Sequence, residues 1–285
     1  MPHPLHTQHE RTYRQNRFVY PVLSRRSGGL SLGVNLNPDK VCNFDCIYCQ
    51  VDRTGPRETR FVELDRLRIE LEEMLQWIES GRIFDSGKFH STPHALRRLN
   101  DIAFSGDGEP TTYQNFDAII RSCAEVKRLA GAEQVKMVLI TNASMFHRPP
   151  VERGLEILDA NQGEIWAKLD AGTEAYYRMV CRTLIPWQRI LDNITRAAQI
   201  RPLVIQSMFM RVDSAPPAAD ELAAYCSRLE EMVAAGGCLK LVQIYTIARR
   251  PAEKSVAPLE ESEVEAIGDL VHRRTGLPTA VYFGA

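Results

Sequence analysis

The sequence predicts an α/β protein whose strands are mainly parallel. Short apolar runs alternate with longer segments of helical periodicity, and Gly or Pro stands at several of the joins between them. A chain that alternates strand and helix patterns favours a parallel sheet with helices packed outside it. Right-handed crossovers then leave two architectures, an open doubly wound sheet and a full or partial barrel. In both, ligand sites form at the carboxyl ends of the strands.

Seven apolar runs have the length and residue types of strands. In chain order they are Ser31–Asn37, Asp101–Ser105, Lys136–Thr141, Glu164–Leu169, Leu203–Met210, Leu239–Ile247 and Thr279–Phe283. The clearest helical pattern follows the first run, because its apolar residues recur on one helical face. They are Leu64, Leu67, Leu71, Met74, Leu75 and Ile78. Weaker helical patterns cover residues 114–130, 150–159, 186–200, 218–235 and 260–275.

Composition restricts the class of protein. The chain has 285 residues, with 35 Lys and Arg against 36 Asp and Glu, a net charge of -1 and 44% hydrophobic residues. These values are ordinary for a globular protein and argue against disorder. Balanced charge also removes the simplest case for a dedicated nucleic-acid binder. No apolar run approaches the roughly 18 residues of a membrane span, and the first residues lack the apolar stretch of a secretory signal. We therefore expect a cytoplasmic protein without a membrane partner.

Residues 1–30 are expected to form a basic N-terminal arm, and residues 31–285 a single core domain. The arm holds one acidic residue against three histidines and five arginines. The arginines are Arg11, Arg14, Arg17, Arg25 and Arg26. Such an arm either packs across the core as a solvated segment or contacts the phosphates of a nucleic-acid substrate.

The cysteines give the strongest functional signal. Seven are present, and three of them, Cys42, Cys46 and Cys49, stand within eight residues in the loop after the first predicted strand. In a chain without an export signal, thiols or metal ligands are favoured over disulfides. Three thiolates can bind three irons of a cubane cluster and leave the remaining iron open. Structural zinc is the alternative, although zinc motifs usually separate two ligand pairs by a longer loop.

The segment CNFDCIYC, residues 42–49, resembles the cluster motif of the radical S-adenosylmethionine (radical SAM) superfamily. Within the superfamily the sequence is most similar to the wyosine synthase-like branch, whose characterised members build a tricyclic base in transfer RNA. The resemblance implies a partial (β/α)6 TIM-like barrel and a [4Fe–4S] cluster on the three cysteines, with SAM bound to the open iron. It also implies reductive cleavage of SAM to methionine and a 5′-deoxyadenosyl radical. A low-potential electron donor of the flavodoxin or ferredoxin type is the implied partner.

The glycine-rich turn after the second predicted strand resembles the Gly-Gly-Glu motif that holds the methionine amine in this superfamily. Here it reads Gly106-Asp107-Gly108-Glu109. The two glycines allow a ligand to approach the backbone closely, and Glu109 offers a carboxylate to an ammonium group. A Rossmann phosphate turn is the alternative, since the segment nearly matches GxGxxG and lacks only the third Gly.

Five further residues are candidates for the site. Tyr48 either stacks on adenine, as the resemblance implies, or is a packing aromatic. Asn142, after the third strand, is either a helix cap or a contact to SAM. Lys168 and Asp170 fall on one face of the fourth strand and are expected to form a charged pair at the barrel mouth. Lys168 is either a Schiff-base lysine for a carbonyl substrate or, with Asp170, part of a structural pair that holds the SAM ribose or closes the barrel. Gln206, on the fifth strand, is either an interior contact to SAM or a satisfied core amide.

The substrate class stays open between two candidates. A transfer RNA base fits the resemblance and the basic arm. A small molecule or peptide fits the net charge, and it fits the absence, before Cys42, of the extra cysteines with which archaeal wyosine synthases bind a second cluster. Arg249 and Arg250, after the sixth strand, suit phosphate or carboxylate recognition. A non-catalytic zinc or iron–sulfur binding module is the remaining alternative.

Overall fold

The computed structural model of the chain describes residues 5, 11, 13–53, 61–249, 251 and 253–284. By its internal contacts the chain divides into two compact units. The first unit comprises Met1–Cys42, Pro56–Ile140 and Arg148–Glu164, and the second comprises Asn43–Gly55, Thr141–His147 and Ile165–Ala285. Each unit contains both strands and helices.

The strands are β1 (Val19–Ser24), β2 (Gly29–Val34), β3 (Leu99–Phe104), β4 (Lys136–Thr141), β5 (Gly163–Lys168), β6 (Leu203–Met208), β7 (Arg211–Val212), β8 (Leu239–Tyr245), β9 (Val256–Ala257) and β10 (Thr279–Tyr282). The α-helices are α1 (Leu64–Glu79), α2 (Phe116–Leu129), α3 (Pro149–Asp159), α4 (Glu174–Cys181), α5 (Trp187–Ile200), α6 (Ala219–Ala234) and α7 (Glu261–Thr275). None of the helices in the described part of the chain combines the length and the apolar content that a membrane span needs.

In the first unit the strands lie in the order β1-β2-β3-β4. β1 and β2 form an antiparallel hairpin, whereas β2 with β3 and β3 with β4 pair in parallel. Glu70 of α1 ties the hairpin down, because its buried carboxylate accepts hydrogen bonds from the backbone N–H groups of Arg17, Phe18 and Val19 at 2.9, 2.8 and 3.1 Å. The segment predicted as an N-terminal arm therefore contributes an edge strand to this sheet.

In the second unit the strands lie in the order β5-β6-β8-β10, and all three pairings are parallel. A separate antiparallel pair joins β7 and β9. Helix α6 packs directly on the backbone that follows β5, since a Cβ atom at Gly172 would lie 2.1 Å from the Tyr225 nitrogen. Only Gly can occupy such a close approach.

The predicted α/β class with mainly parallel strands is confirmed in both units. β4 spans the predicted residues Lys136–Thr141, and the other predicted strands and helices are found with shifted ends. The sequence patterns gave no indication of β1 or of the eight-residue helix α4.

Candidate active site

The cysteine loop continues from the carboxyl end of β2 and, from Asn43 onward, belongs to the second unit. A backbone hydrogen bond of 2.9 Å from Cys49 to Cys46 folds the two cysteines into one turn. Helix α4 supports this turn. The backbone N–H groups of Asp45 and Ile47 donate to the carbonyl groups of Cys181 and Val180 at 3.1 and 2.9 Å. The last carbonyls of a helix have no partner within it, so the loop caps the helix.

Each cysteine of the motif is partly exposed, whereas Cys123, Cys181 and Cys226 are buried. The Cys46 thiol forms a hydrogen bond with Cys181, and this bond lowers the pKa of Cys46 although burial opposes the shift. Arg53 donates a guanidinium N–H to the Cys49 sulfur over 3.6 Å.

Three cysteines on one accessible loop match the donors of an iron–sulfur cluster in number and chemistry. In the arrangement seen here, no three His, Cys, Asp or Glu side chains of the described residues converge on one point where a metal ion would bind. The thiols of the motif fit the cluster as a set of donors, because each of them binds a different iron of a cubane.

Asn142 holds the start of the loop in place. Its amide donates to the side-chain oxygen of Asn43 at 2.9 Å, and its own oxygen accepts from the backbone N–H of Ser144 at 3.0 Å. Asn43 in turn donates to the Ser144 hydroxyl at 2.8 Å and accepts, through its carbonyl, from Thr183 at 2.9 Å. Asn142 thus forms a local turn and anchors the residue next to Cys42.

Tyr48, Asp170 and Lys168 form a buried polar cluster. The Tyr48 hydroxyl donates to Asp170 Oδ2 at 2.5 Å, and the backbone N–H of Met208 donates to Asp170 Oδ1 at 2.8 Å. The Lys168 ammonium lies 3.3 Å from Asp170 Oδ2, which gives the charged pair predicted from the strand alternation. It also lies 4.8 Å from the centre of the Tyr48 ring and donates to the Tyr245 hydroxyl at 2.9 Å.

This cluster fixes the charge of Lys168. Burial by itself lowers the pKa of the ammonium, but the Asp170 carboxylate and the Tyr245 hydroxyl more than offset it, so the pKa of Lys168 is raised. Burial and the same carboxylate raise the pKa of Tyr48 well above its ordinary value. Lys168 is therefore a cation and Tyr48 a neutral hydrogen-bond donor at neutral pH.

Gln206 and Gln243 lie on neighbouring strands, β6 and β8, and are both buried. The Gln206 amide donates to the Gln243 side-chain oxygen at 2.9 Å. This pairing corresponds to the core-amide interpretation of Gln206.

In the first unit, the Gly106–Glu109 turn packs against the chain that leads into the cysteine motif. A Cβ atom at Gly108 would lie 2.2 Å from the Val41 carbonyl oxygen, and one at Gly106 would lie 2.3 Å from Asn35 Oδ1. Both glycines therefore permit contacts that any larger residue would block.

Asp107 is held within this turn from two sides. The Asn35 amide donates to Asp107 Oδ2 at 2.8 Å, and Asn35 Oδ1 accepts the Asp107 backbone N–H at 3.2 Å. Arg11 lies 3.6 Å from Asp107 Oδ1 and donates to the Tyr20 hydroxyl at 2.5 Å. Arg11 of the N-terminal segment therefore contacts residues of the first unit.

Glu109 is 3% exposed, and its Oε1 accepts both the backbone N–H and the hydroxyl of Thr111, at 3.1 and 2.5 Å. Arg148 donates to the Thr111 and Thr112 carbonyls at 3.4 and 3.2 Å. The carboxylate is thus fixed in position at the amino end of a short 3-10 helix.

Sequence reasoning did not identify Asn35, Asn43 or Cys181 as parts of these arrangements. Asn35 precedes the motif and Asn43 lies inside it, and small amides near a cysteine loop are the one signal that would have indicated them. Of the predicted pair Arg249 and Arg250, Arg249 contacts the cysteine loop with its backbone: its carbonyl accepts a hydrogen bond from the Gln50 side chain at 3.0 Å. Arg250 lies outside the described residues.

The family model of the Radical SAM superfamily matches residues 36–219, a span that contains the cysteine motif, the glycine-rich turn and the Lys168–Asp170 pair. This match covers more than half of the chain. The chain belongs to the radical SAM superfamily.

Several curated proteins resemble the chain over part of their length. A UPF0026 protein of Helicobacter pylori is 32% identical over 182 residues, which cover 63% of this chain and 51% of that protein. A UPF0026 protein of Methanocaldococcus jannaschii is 31% identical over 162 residues, covering 57% and 43%. The GTPase Obg of Brachyspira hyodysenteriae is 26% identical over 170 residues, covering 59% and 21%. The chain thus spans about half the length, or less, of these relatives.

Among solved structures, TYW1 with a lysine-pyruvate adduct bound is similar, with a TM-score of 0.51 and 16% identity over 87% of this chain and 74% of that one. TYW1 is a wyosine synthase. At this identity the likeness concerns the fold alone. It confirms the partial TIM-like barrel fold that the resemblance implied.

Proposed function

We propose that the chain binds a [4Fe–4S] cluster through Cys42, Cys46 and Cys49 and uses it to cleave SAM reductively. The observation that carries the proposal is this set of partly exposed thiols on one loop, inside the span that matches the superfamily. When bound, such a cluster supplies the electron that cleaves SAM. A flavodoxin- or ferredoxin-type protein is the proposed source of that electron.

The resemblance to the Gly-Gly-Glu motif supports a role of the glycine-rich turn in SAM binding. Glu109 is the proposed acceptor for the ammonium group of SAM, and Gly106 and Gly108 allow the close packing that holds this turn in place. The hydrogen bond from Tyr48 to Asp170 fixes the aromatic ring that lies next to Cys49 in the chain. We propose that Asp170 positions Tyr48, since both carboxylate oxygens already accept hydrogen bonds from the protein.

Anaerobic protein supplied with iron, sulfide, dithionite and SAM is expected to turn brown, to hold about four irons per chain and to release 5′-deoxyadenosine. The Cys46→Ala variant is expected to lose the chromophore and the turnover. Cys226→Ala is the matched control, because Cys226 is buried in α6 outside the motif. Retention of the cluster by Cys46→Ala, or binding of zinc by the wild type in its place, would refute the proposal.

A transfer RNA base is the proposed substrate class, supported by the wyosine synthase fold and by the arginine-rich N-terminal segment. Binding of transfer RNA must weaken steeply as salt rises, because phosphate contacts release counterions. Binding that does not change with salt, or no binding, would favour a small molecule or peptide instead.

We propose that Lys168 acts as the cation of the pair with Asp170 and not as an imine-forming amine. TYW1 has been crystallised with a lysine-pyruvate adduct, but an amine must be neutral to attack a carbonyl, and the raised pKa of Lys168 keeps it protonated. Pyruvate and borohydride are expected to leave Lys168 unmodified in peptide mass spectra. A reduced pyruvate adduct on Lys168 would overturn this assignment.

A further inference from the structure

Cys181 lies outside the cysteine motif yet contacts it directly. It is the last residue of α4, it is 3% exposed, and its thiol forms a hydrogen bond with the Cys46 thiol. The positions of both residues are fixed by the backbone bonds that Asp45 and Ile47, on either side of Cys46, make to the end of α4.

The helix ends so that this contact is possible. Arg182, the residue after Cys181, adopts a left-handed conformation with φ 44°, which turns the chain away from the helix axis. The Cys181 carbonyl is then available to the Asp45 N–H. Left-handed residues commonly end helices in this way.

We propose that Cys46 and Cys181 form a reversible disulfide when the protein lacks its cluster, and that this disulfide is a redox control on cluster loading. The backbone bonds from Asp45 and Ile47 hold Cys46 beside the end of α4, so rotation of the two side chains can bring the sulfurs to the roughly 2.05 Å of a disulfide bond. The disulfide itself does not depend on the proposed function. Its effect on loading does, because Cys46 can ligate iron only as a thiolate.

The chemistry is thiol–disulfide exchange with a small disulfide such as oxidised glutathione. The partly exposed Cys46, as thiolate, attacks one glutathione sulfur, forms a mixed disulfide and releases one glutathione. The Cys181 thiol then attacks the Cys46 sulfur, and the second glutathione leaves as a thiolate that takes up the Cys181 proton. Two protein thiols are oxidised and one glutathione disulfide is reduced.

Peptide mapping tests the linkage in the full-length, cluster-free protein treated with oxidised glutathione. Trypsin releases Cys46 within residues 41–53 and Cys181 within residues 179–182, so the disulfide joins two peptides that are otherwise separate. We expect this joined peptide in the wild type and also in a Cys42→Ala/Cys49→Ala background. A wild type that links Cys46 to Cys42 or Cys49, or forms no linkage, would overturn the proposal.

The Cys181→Ser variant, which keeps the side-chain volume, tests whether Cys181 attacks the mixed disulfide on Cys46 or is a buried cysteine without a redox role. We expect this variant to accumulate the mixed disulfide of Cys46 with glutathione, whereas the control Cys226→Ala forms the normal linkage. If Cys181→Ser shows no more mixed disulfide than the control, Cys181 has no resolving role. Iron uptake is measured separately, before and after reduction with dithiothreitol. If the protein binds no cluster, the peptide mapping still shows whether the disulfide between Cys46 and Cys181 forms.

Discussion

The Lys168–Asp170 pair makes a quantitative prediction. At 3.3 Å, two unit charges attract by about 5 kcal/mol at an effective dielectric constant of about 20. Removal of the charges from water cancels much of this attraction. Asp170→Asn leaves the Lys168 ammonium without its counter-charge, and breaking a buried pair in this way costs about 3–5 kcal/mol. We expect the lower end, about 3 kcal/mol, because a fifth of the Lys168 side chain is exposed.

Lys168→Met is expected to cost less, about 1 kcal/mol, because Asp170 keeps its hydrogen bonds from Tyr48 and the Met208 backbone. The double variant should then lose about 2 kcal/mol, which gives a coupling energy of about 2 kcal/mol. Urea unfolding of the four cluster-free proteins at pH 7 measures all of these values.

The exposed pair Glu174–Arg178 in α4 is the matched control, since its side chains are 54% and 73% exposed and four residues apart. Exposed helical pairs of this kind couple by about 0.3–0.5 kcal/mol. A Lys168–Asp170 coupling no larger than that of the control would refute the argument that burial strengthens the pair.

Three other changes have defined outcomes. In Gly108→Ala the added Cβ would lie 2.2 Å from the Val41 carbonyl oxygen. This variant is expected to lower the unfolding free energy by about 1–3 kcal/mol and to weaken SAM binding. An unchanged urea midpoint would contradict this prediction. Lys127→Met removes three hydrogen bonds from a buried ammonium to carbonyl groups and is expected to lower the thermal midpoint, at a cost of about 1–3 kcal/mol. Burial raises the pKa of Asp101 although a hydrogen bond from Ser31 partly opposes it. The folded state therefore binds the Asp101 proton more tightly than the unfolded state does. The unfolding free energy is expected to fall as pH rises through the range just above the ordinary carboxyl pKa. Asp101→Asn should flatten this pH dependence in urea titrations at several pH values.

The fold was predicted where local patterns are strong. The predicted bounds of β4 agree with the structure, because a short apolar run stands between helical patterns there. β1 was not predicted, since Pro21 and the surrounding arginines make the segment resemble an arm. Pro is tolerated on edge strands, and β1 forms the edge of the first unit's sheet. The helix α4 has only eight residues, which is too few for a clear periodicity.

The sequence indicates those parts of the candidate site that depend on residue spacing within the chain. Three cysteines within eight residues and a glycine-rich turn are local patterns that the sequence alone shows. The contact of Cys46 with Cys181 and the anchoring of Asn43 by Asn142 join residues about a hundred or more positions apart. Such contacts follow from tertiary packing, which a single sequence does not encode in a local pattern. The same is true of the raised pKa of Lys168, which depends on Tyr245 as well as on Asp170.

The capping of α4 by Asp45 and Ile47 has a consequence for the thermodynamics of metal binding. Ordering a flexible backbone costs about 1–2 kcal/mol per residue, and a disordered ligand loop must meet that cost when the metal arrives. Here folding of the second unit has already restricted part of the loop, so incoming iron has less chain entropy to overcome. A helix outside the motif is thereby expected to strengthen the proposed binding of iron by the neighbouring cysteines, and unravelling its final turn should weaken iron retention with every cysteine still in place.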